Sequence, residues 1–161
     1  MKTIRLLLFL LPFLIISCGK DDDNNNNDNN NTDEPTEPFF SMKIDGADWV
    51  PENFYYKEIS GTGVPLLYAS NTIYTLSLDF DGTPATGSYD LSSQSKVITN
   101  FYKYLSPGYS EYSIESGELK ITIYDADNDI FKGSFSFVAK NNDDNSSITI
   151  TDGGFFIDGF N

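Results

Sequence analysis

The chain has 161 residues, ten Lys+Arg against 24 Asp+Glu, a formal net charge of −14, a single cysteine and no histidine. So acidic a surface repels nucleic acid and anionic headgroups. Lacking histidine, and with one cysteine that cannot form an internal disulfide, the chain is no candidate for a zinc site, Cys/His catalysis or a disulfide scaffold.

Residues 1–17 have the parts of an export signal: Lys2 and Arg5, an apolar run from Leu6 to Ile16 that includes Pro12, and small Ser17. The run is about half of the roughly 20 residues that a membrane-spanning helix needs. Its ending, Ile15-Ile16-Ser17-Cys18, resembles the bacterial lipoprotein signal, in which a peptidase cuts before the cysteine and the thiol carries lipid. Each buried CH₂ contributes about 0.8 kcal/mol, and two or more acyl chains hold stably. The resemblance therefore implies lasting attachment to a membrane through Cys18. Cleavage there removes two cations and no anion, leaving the chain more acidic still.

From Asp21 to Pro38 there is no apolar side chain. Such a tract cannot bury enough surface to offset the entropy of ordering, so it is expected to stay unfolded. As a coil it spans about 25 Å, and pulled straight about 60 Å, which suits a spacer. The expected organisation is thus a signal over 1–17, a lipidated cysteine and acidic Asn/Asp tether over 18–37, and one domain over 38–161.

The domain alternates with period two. Phe40, Met42 and Ile44 oppose Ser41, Lys43 and Asp45. Tyr74, Leu76, Leu78 and Phe80 oppose Thr75, Ser77 and Asp79. Leu119, Ile121 and Ile123 oppose Lys120 and Thr122; Phe135 and Phe137 oppose Ser134 and Ser136; Ile148 and Ile150 flank Thr149. One wet face per strand is the pattern of antiparallel sheets. Turns are expected at Asp45-Gly46, Gly61-Thr62-Gly63, Asp81-Gly82, Pro107-Gly108, Ser116-Gly117 and Thr151-Asp152-Gly153-Gly154. The sum is about eight to ten strands and no long helix: an all-β, antiparallel two-layer β-sandwich, with a closed β-barrel as the alternative.

The punctuation of this domain resembles the small all-β lipoprotein domains of Bacteroidetes that form a domain of unknown function. The likeness rests on Phe40-Ser-Met-Lys-Ile-Asp-Gly-Ala-Asp-Trp49, on Gly87-Ser88-Tyr89, on Leu119-Lys-Ile-Thr-Ile-Tyr124 followed by Phe131-Lys-Gly-Ser-Phe-Ser-Phe137, and on Ile148-Thr-Ile-Thr-Asp-Gly-Gly-Phe-Phe156. It implies a fold and a location but no activity. In that phylum a short acidic cluster after the lipidated cysteine sends lipoproteins to the outer face of the outer membrane. Lys20, Asp21, Asp22 and Asp23 look like such a signal.

Tyr55 and Tyr56 in FYY, and Tyr102, Tyr104, Tyr109 and Tyr112 in FYKYLSPGYSEY, concentrate the tyrosines. Tyrosine gives rigid area and a hydroxyl at low entropy cost, which suits glycan or protein recognition. The second stretch is the candidate ligand-binding patch, centred on the Tyr104–Tyr109 loop. Trp49, the only tryptophan, reads better as a plug over one end of the core, its ring N–H reaching a polar partner, than as a stacking platform. Asp125, Asp127 and Asp129 follow the first half of an EF-hand loop, but the sixth position is Ile130 and the twelfth Ser136, so a polar hairpin turn is preferred over a weak calcium site.

No G-x-S-x-G elbow or phosphate-cradling glycine loop occurs, and no cofactor or metal is implied. The expected function is a non-catalytic binding or accessory domain on the cell surface, its ligand an extracellular glycan or an envelope protein and not nucleic acid. The alternatives are a structural envelope lipoprotein without a small-molecule ligand and, more remotely, a carboxylate-dependent glycoside hydrolase. Protease shaving of intact cells tests the location. Protein carrying Asp21–Asp23 should be digested, and protein with all three changed to Ala should be protected; resistance in both strains would contradict surface exposure.

Overall fold

The computed structural model describes residues 35–59 and 63–160. The export signal, Cys18, the Lys20–Asp23 cluster and most of the tether lie outside the described residues. Within them the alternating segments become ten strands: β1 Phe39–Ile44, β2 Ala47–Trp49, β3 Asn53–Ile59, β4 Val64–Ser70, β5 Tyr74–Phe80, β6 Gly87–Asp90, β7 Val97–Tyr104, β8 Tyr109–Asp125, β9 Ile130–Asn141 and β10 Ser147–Asp158.

All ten belong to one antiparallel sheet with the order β2-β1-β10-β9-β8-β7-β5-β4-β3, and β6 pairs with β8. Length makes this arrangement work. β8 has 17 residues, so one of its edges holds β9 while the other is shared, by β7 along residues 109–112 and by β6 along 118–121.

The sheet curls until its ends face each other. Phe40 of β1 lies 6.4 Å, ring to ring, from Phe54 of β3, and Tyr56 of β3 lies 4.8 Å from Phe131 of β9. The all-β antiparallel class expected from sequence is what the structure has. Its two facing layers are the halves of one continuous sheet, and among the described residues no strand pairing joins β3 to β1 or β2, so side chains rather than a backbone ladder bridge that seam.

Two expected turns are not turns. Ser116-Gly117 lies inside β8, and Thr151–Gly154 inside β10. In each place the pairing with β9 shifts register, between Ile114 and Ser116 and between Ile150 and Gly153. These are bulges, which bend a strand and raise its twist without ending it. The Asp45-Gly46 turn is as expected: both residues have positive φ, 50° and 82°, and the Asp45 carboxylate accepts the Thr149 N–H at 2.8 Å.

The interior is built from phenylalanines laid over glycines. Phe155 faces Gly133 across the β9–β10 ladder, and Phe135 faces Gly153. A Cβ on Gly133 would sit 2.6 Å from the Lys120 carbonyl oxygen and 2.6 Å from the Phe155 ring; one on Gly153 would sit 2.5 Å from the Phe135 carbonyl. Only glycine leaves room for a ring flat against the backbone. Phe131, wholly buried, then meets Phe155 at 4.8 Å, Phe80 at 5.8 Å and Tyr124 at 5.6 Å, tying β9 to β10, β5 and β8.

Gly133→Ala should therefore cost about 1–3 kcal/mol by overpacking, read as a lower urea midpoint. Gly154→Ala, whose Cβ would meet nothing closer than the Phe39 ring at 3.4 Å, should change stability by less than about 0.5 kcal/mol. Equal losses at both positions would show that strand glycine as such, and not the ring above it, sets the cost.

Candidate functional site

Period two places Tyr102 and Tyr104 of β7 on the outer face of the sheet. Tyr109 and Glu111 of β8 stand opposite them, Tyr104 paired with Tyr109 and Tyr102 with Glu111. The connection between the strands contains a cis Ser106–Pro107 peptide and a left-handed Gly108. It closes with the Leu105 N–H donating to the Gly108 carbonyl at 2.9 Å. The Tyr102 and Tyr109 rings meet edge to face at 5.4 Å, and the three tyrosines line a notch of about 200 Å³.

The notch has a prepared floor. Thr75 of β5 is on the wet side of its strand yet only 5% exposed, and its hydroxyl donates to the Tyr104 oxygen at 3.2 Å. The Tyr104 N–H donates to the Ile73 carbonyl at 2.7 Å, which locks the hairpin to the β4–β5 turn. Tyr104 is nevertheless 47% exposed and Tyr109 62%. With Ile73 and Leu105 they make four of the eight large exposed hydrophobics among the described residues, so apolar surface is concentrated at these two neighbouring turns. Burial pushes the Tyr102 hydroxyl upward, and the Glu111 carboxylate adds to the shift, so the phenol stays a neutral donor.

The expected patch is thus brought together at Tyr102, Tyr104 and Tyr109 but not at Tyr112. That residue is 5% exposed and packs edge to face on Phe101 at 5.7 Å. It stands three positions after Tyr109, an odd step, so the pleat turns it into the core. Trp49 is also buried, edge-on to Phe40 at 6.2 Å. Its ring N–H has no protein hydrogen-bond partner, contrary to the expected polar contact, and the ring offers no platform.

Asp125, Asp127 and Asp129 form the β8–β9 turn. One Asp125 oxygen accepts the N–H groups of Asp127 and Asn128, and the other accepts the Asn128 side-chain amide at 2.7 Å. Its carboxylate is spent on the turn, which holds it below the usual range. Among the described residues no three His, Cys, Asp or Glu side chains converge as a metal site. Asp90 and Asp144 are lowered by the same means, through Ser92 and Ser146. A second depression of about 440 Å³ lies by the β5–β6 connection. Its polar groups pair among themselves: the Tyr89 hydroxyl donates to the Ala85 carbonyl and accepts the Ala85 N–H, and Lys96 lies 3.9 Å from Asp81.

Of the rest of the outer face, the sequence singles out Tyr55 but not Tyr68 or Asn100. Tyr55 of β3 and Tyr68 of β4 pair directly and stack at 5.0 Å, with the Lys57 ammonium 4.7 Å over the Tyr55 ring. Next to Tyr68 across the ladder come Ser77 and then Asn100. The Asn100 amide donates to Ser77 Oγ at 3.1 Å and to Asp79 Oδ2 at 3.2 Å. Burial raises the Asp79 carboxyl, against the lowering pull of those two partners. Strand pairing, which local alternation does not encode, brings these residues together.

Curl, aromatic core and tyrosine-bearing outer face define a small antiparallel all-β domain. Residues 36–157 match the family described as Domain of unknown function (DUF6252), and the chain belongs to that family. No curated protein matches the chain. No solved structure matches it either. The quoted sequence features acquire physical roles: Asp45-Gly46 turns the chain from β1 into β2, Trp49 covers Phe40, and Tyr89 clamps the β5–β6 connection.

A carboxyl whose folded pKa is raised contributes stability that is complete below its unfolded pKa and lost as pH rises through the folded value. Asp79→Asn should therefore raise the melting midpoint at pH 7. The gain should close as pH falls below the ordinary carboxylate range, where Asp79 is protonated in both states. A midpoint lower than wild type at pH 7 would mean that the hydrogen bonds outweigh the burial.

Proposed function

We propose that this is a non-catalytic binding domain that takes a glycan at the Tyr102–Tyr104–Tyr109 notch. The observation that carries the reading is two highly exposed tyrosines held in place by a buried threonine and an edge-to-face neighbour. Exposed aromatic area is usually a cost to a monomer. Here it is pre-organised, so a ligand is bound without paying to order the rings. Tyrosine faces accept the C–H side of a sugar ring while their hydroxyls remain for its polar edge.

A non-catalytic role fits the carboxylates. Asp79, raised by burial, is hydrogen-bonded into the outer face beside Asn100, whereas Asp90, Asp125 and Asp144 are lowered and committed to turns. A glycosidase needs two carboxyls set against each other across a cleft. In the same proposal Cys18 carries the lipid, Lys20–Asp23 directs the chain to the exterior of the outer membrane, and the tract to residue 37 holds the domain off the surface. A structural envelope lipoprotein without a ligand is the competing reading.

Affinity electrophoresis of the full-length chain through gels containing neutral glucan, mannan or xylan tests this. At least one polymer should retard the protein, and Tyr104→Ala with Tyr109→Ala should abolish the retardation while leaving the melting midpoint within a few degrees. Free migration in every gel would favour the structural reading.

A further inference from the structure

The notch is one end of a longer face. From Tyr68 the cross-strand register runs through Ser77 to Asn100, and Tyr102 stands two residues further along β7 on the same side. Two strand spacings of about 4.8 Å and a two-residue step of about 6.7 Å put Tyr68 and Tyr102 on the order of 12 Å apart. A single sugar ring, no larger than a tyrosine ring, cannot touch both. Between them lie hydroxyl, amide and carboxyl groups, with Asn100 donating through its amide to Ser77 and Asp79 and keeping its Oδ1 for another donor.

Resting on the reading above, we infer that Tyr68, backed by Tyr55, is a second aromatic platform, and that the ligand is a linear, uncharged glycan lying across β4, β5 and β7. The second platform is built differently: its rings stack 19° from parallel, whereas Tyr102 and Tyr109 meet edge to face at 89°. The Tyr55 and Tyr68 rings hold each other at 5.0 Å, and a depression of about 470 Å³ opens beside them, lined by Glu52, Asn53 and Ser70. Aromatic ground at both ends with hydrogen-bonding ground between is the alternation that a chain of pyranose rings presents, apolar at ring faces and polar at hydroxyls. Charge selects against acidic chains. Glu52, Asp79 and Glu111 border this face, while Lys57 is engaged over Tyr55, on a protein of net charge −14. A peptide partner would ask instead for a contiguous apolar centre, and the middle of this face is polar.

Calorimetry of the full-length chain in detergent, titrated with di- to hexasaccharides of neutral glucan, mannan and xylan, distinguishes the two proposals. Affinity should rise about tenfold between the disaccharide and a chain long enough to span both platforms. Tyr68→Ala should remove that rise and leave disaccharide binding within about twofold of wild type, which also reports that the variant is folded. Asn100→Ala should weaken the longer chains alone. If Tyr68→Ala and Asn100→Ala bind every length as wild type does, while Tyr104→Ala with Tyr109→Ala binds none, the extended face is wrong and the notch stands. If no oligosaccharide binds, both fall.

Discussion

Everything in this domain depends on how closely a ring can approach a strand. Phe155 over Gly133 and Phe135 over Gly153 bring aromatic side chains flat against the ladder, where any Cβ would collide with backbone carbonyls. Flat rings make the concave side shallow enough for the sheet to fold onto itself. Phe131 can then reach Phe80 and Tyr56 from strands far removed in pairing order. Bulges at Ile150–Gly153 on that β9–β10 ladder and at Ile114–Ser116 on the adjoining β8–β9 ladder supply the bend. Curvature thus comes from glycines and register shifts, and cohesion from the rings they admit.

The outer face follows from the inner one. Phenylalanine and the inward tyrosines Tyr56 and Tyr112 fill the concave side, and the pleat leaves Tyr55, Tyr68, Tyr102, Tyr104 and Tyr109 on the convex side. There they pair by cross-strand register, Tyr55 with Tyr68 and Tyr104 with Tyr109. Thr75 shows how far this goes: a polar residue on the wet face of β5 is buried because tyrosine covers it. Aromatic side chains thus cover both faces of β5 and β7.

Period-two alternation made the strands of this chain legible, and with them the all-β antiparallel class. It could not say that the two layers are one sheet, because Phe40 facing Phe54 is a matter of strand order and curl. Gly117 and Gly153 read as turn residues because a glycine that starts a turn and one that lets a neighbouring strand or ring come close look alike in one dimension. Tyr112 was grouped with its neighbours by proximity, although counting the pleat from Tyr109 would have sent it inward. Tyr68, Ser77 and Asn100 lie far apart in sequence and meet only across the β4–β5 and β5–β7 ladders. Tyr109 by contrast announced itself, standing in a Pro-Gly loop among other aromatics.

The acidic charge and the aromatic face belong to one argument. A net charge of −14 opposes the approach of anionic polymers over about a Debye length of 8–10 Å. Repulsion of that kind leaves a neutral ligand untouched, so short-range ring contact and hydrogen bonds decide what stays. Asp79 belongs to the same face: burial raises its carboxyl, while hydrogen bonds with Ser77 and Asn100 pull it down. Beside Asn100, in the proposed reading, that carboxylate would accept hydroxyl donors of a neutral glycan.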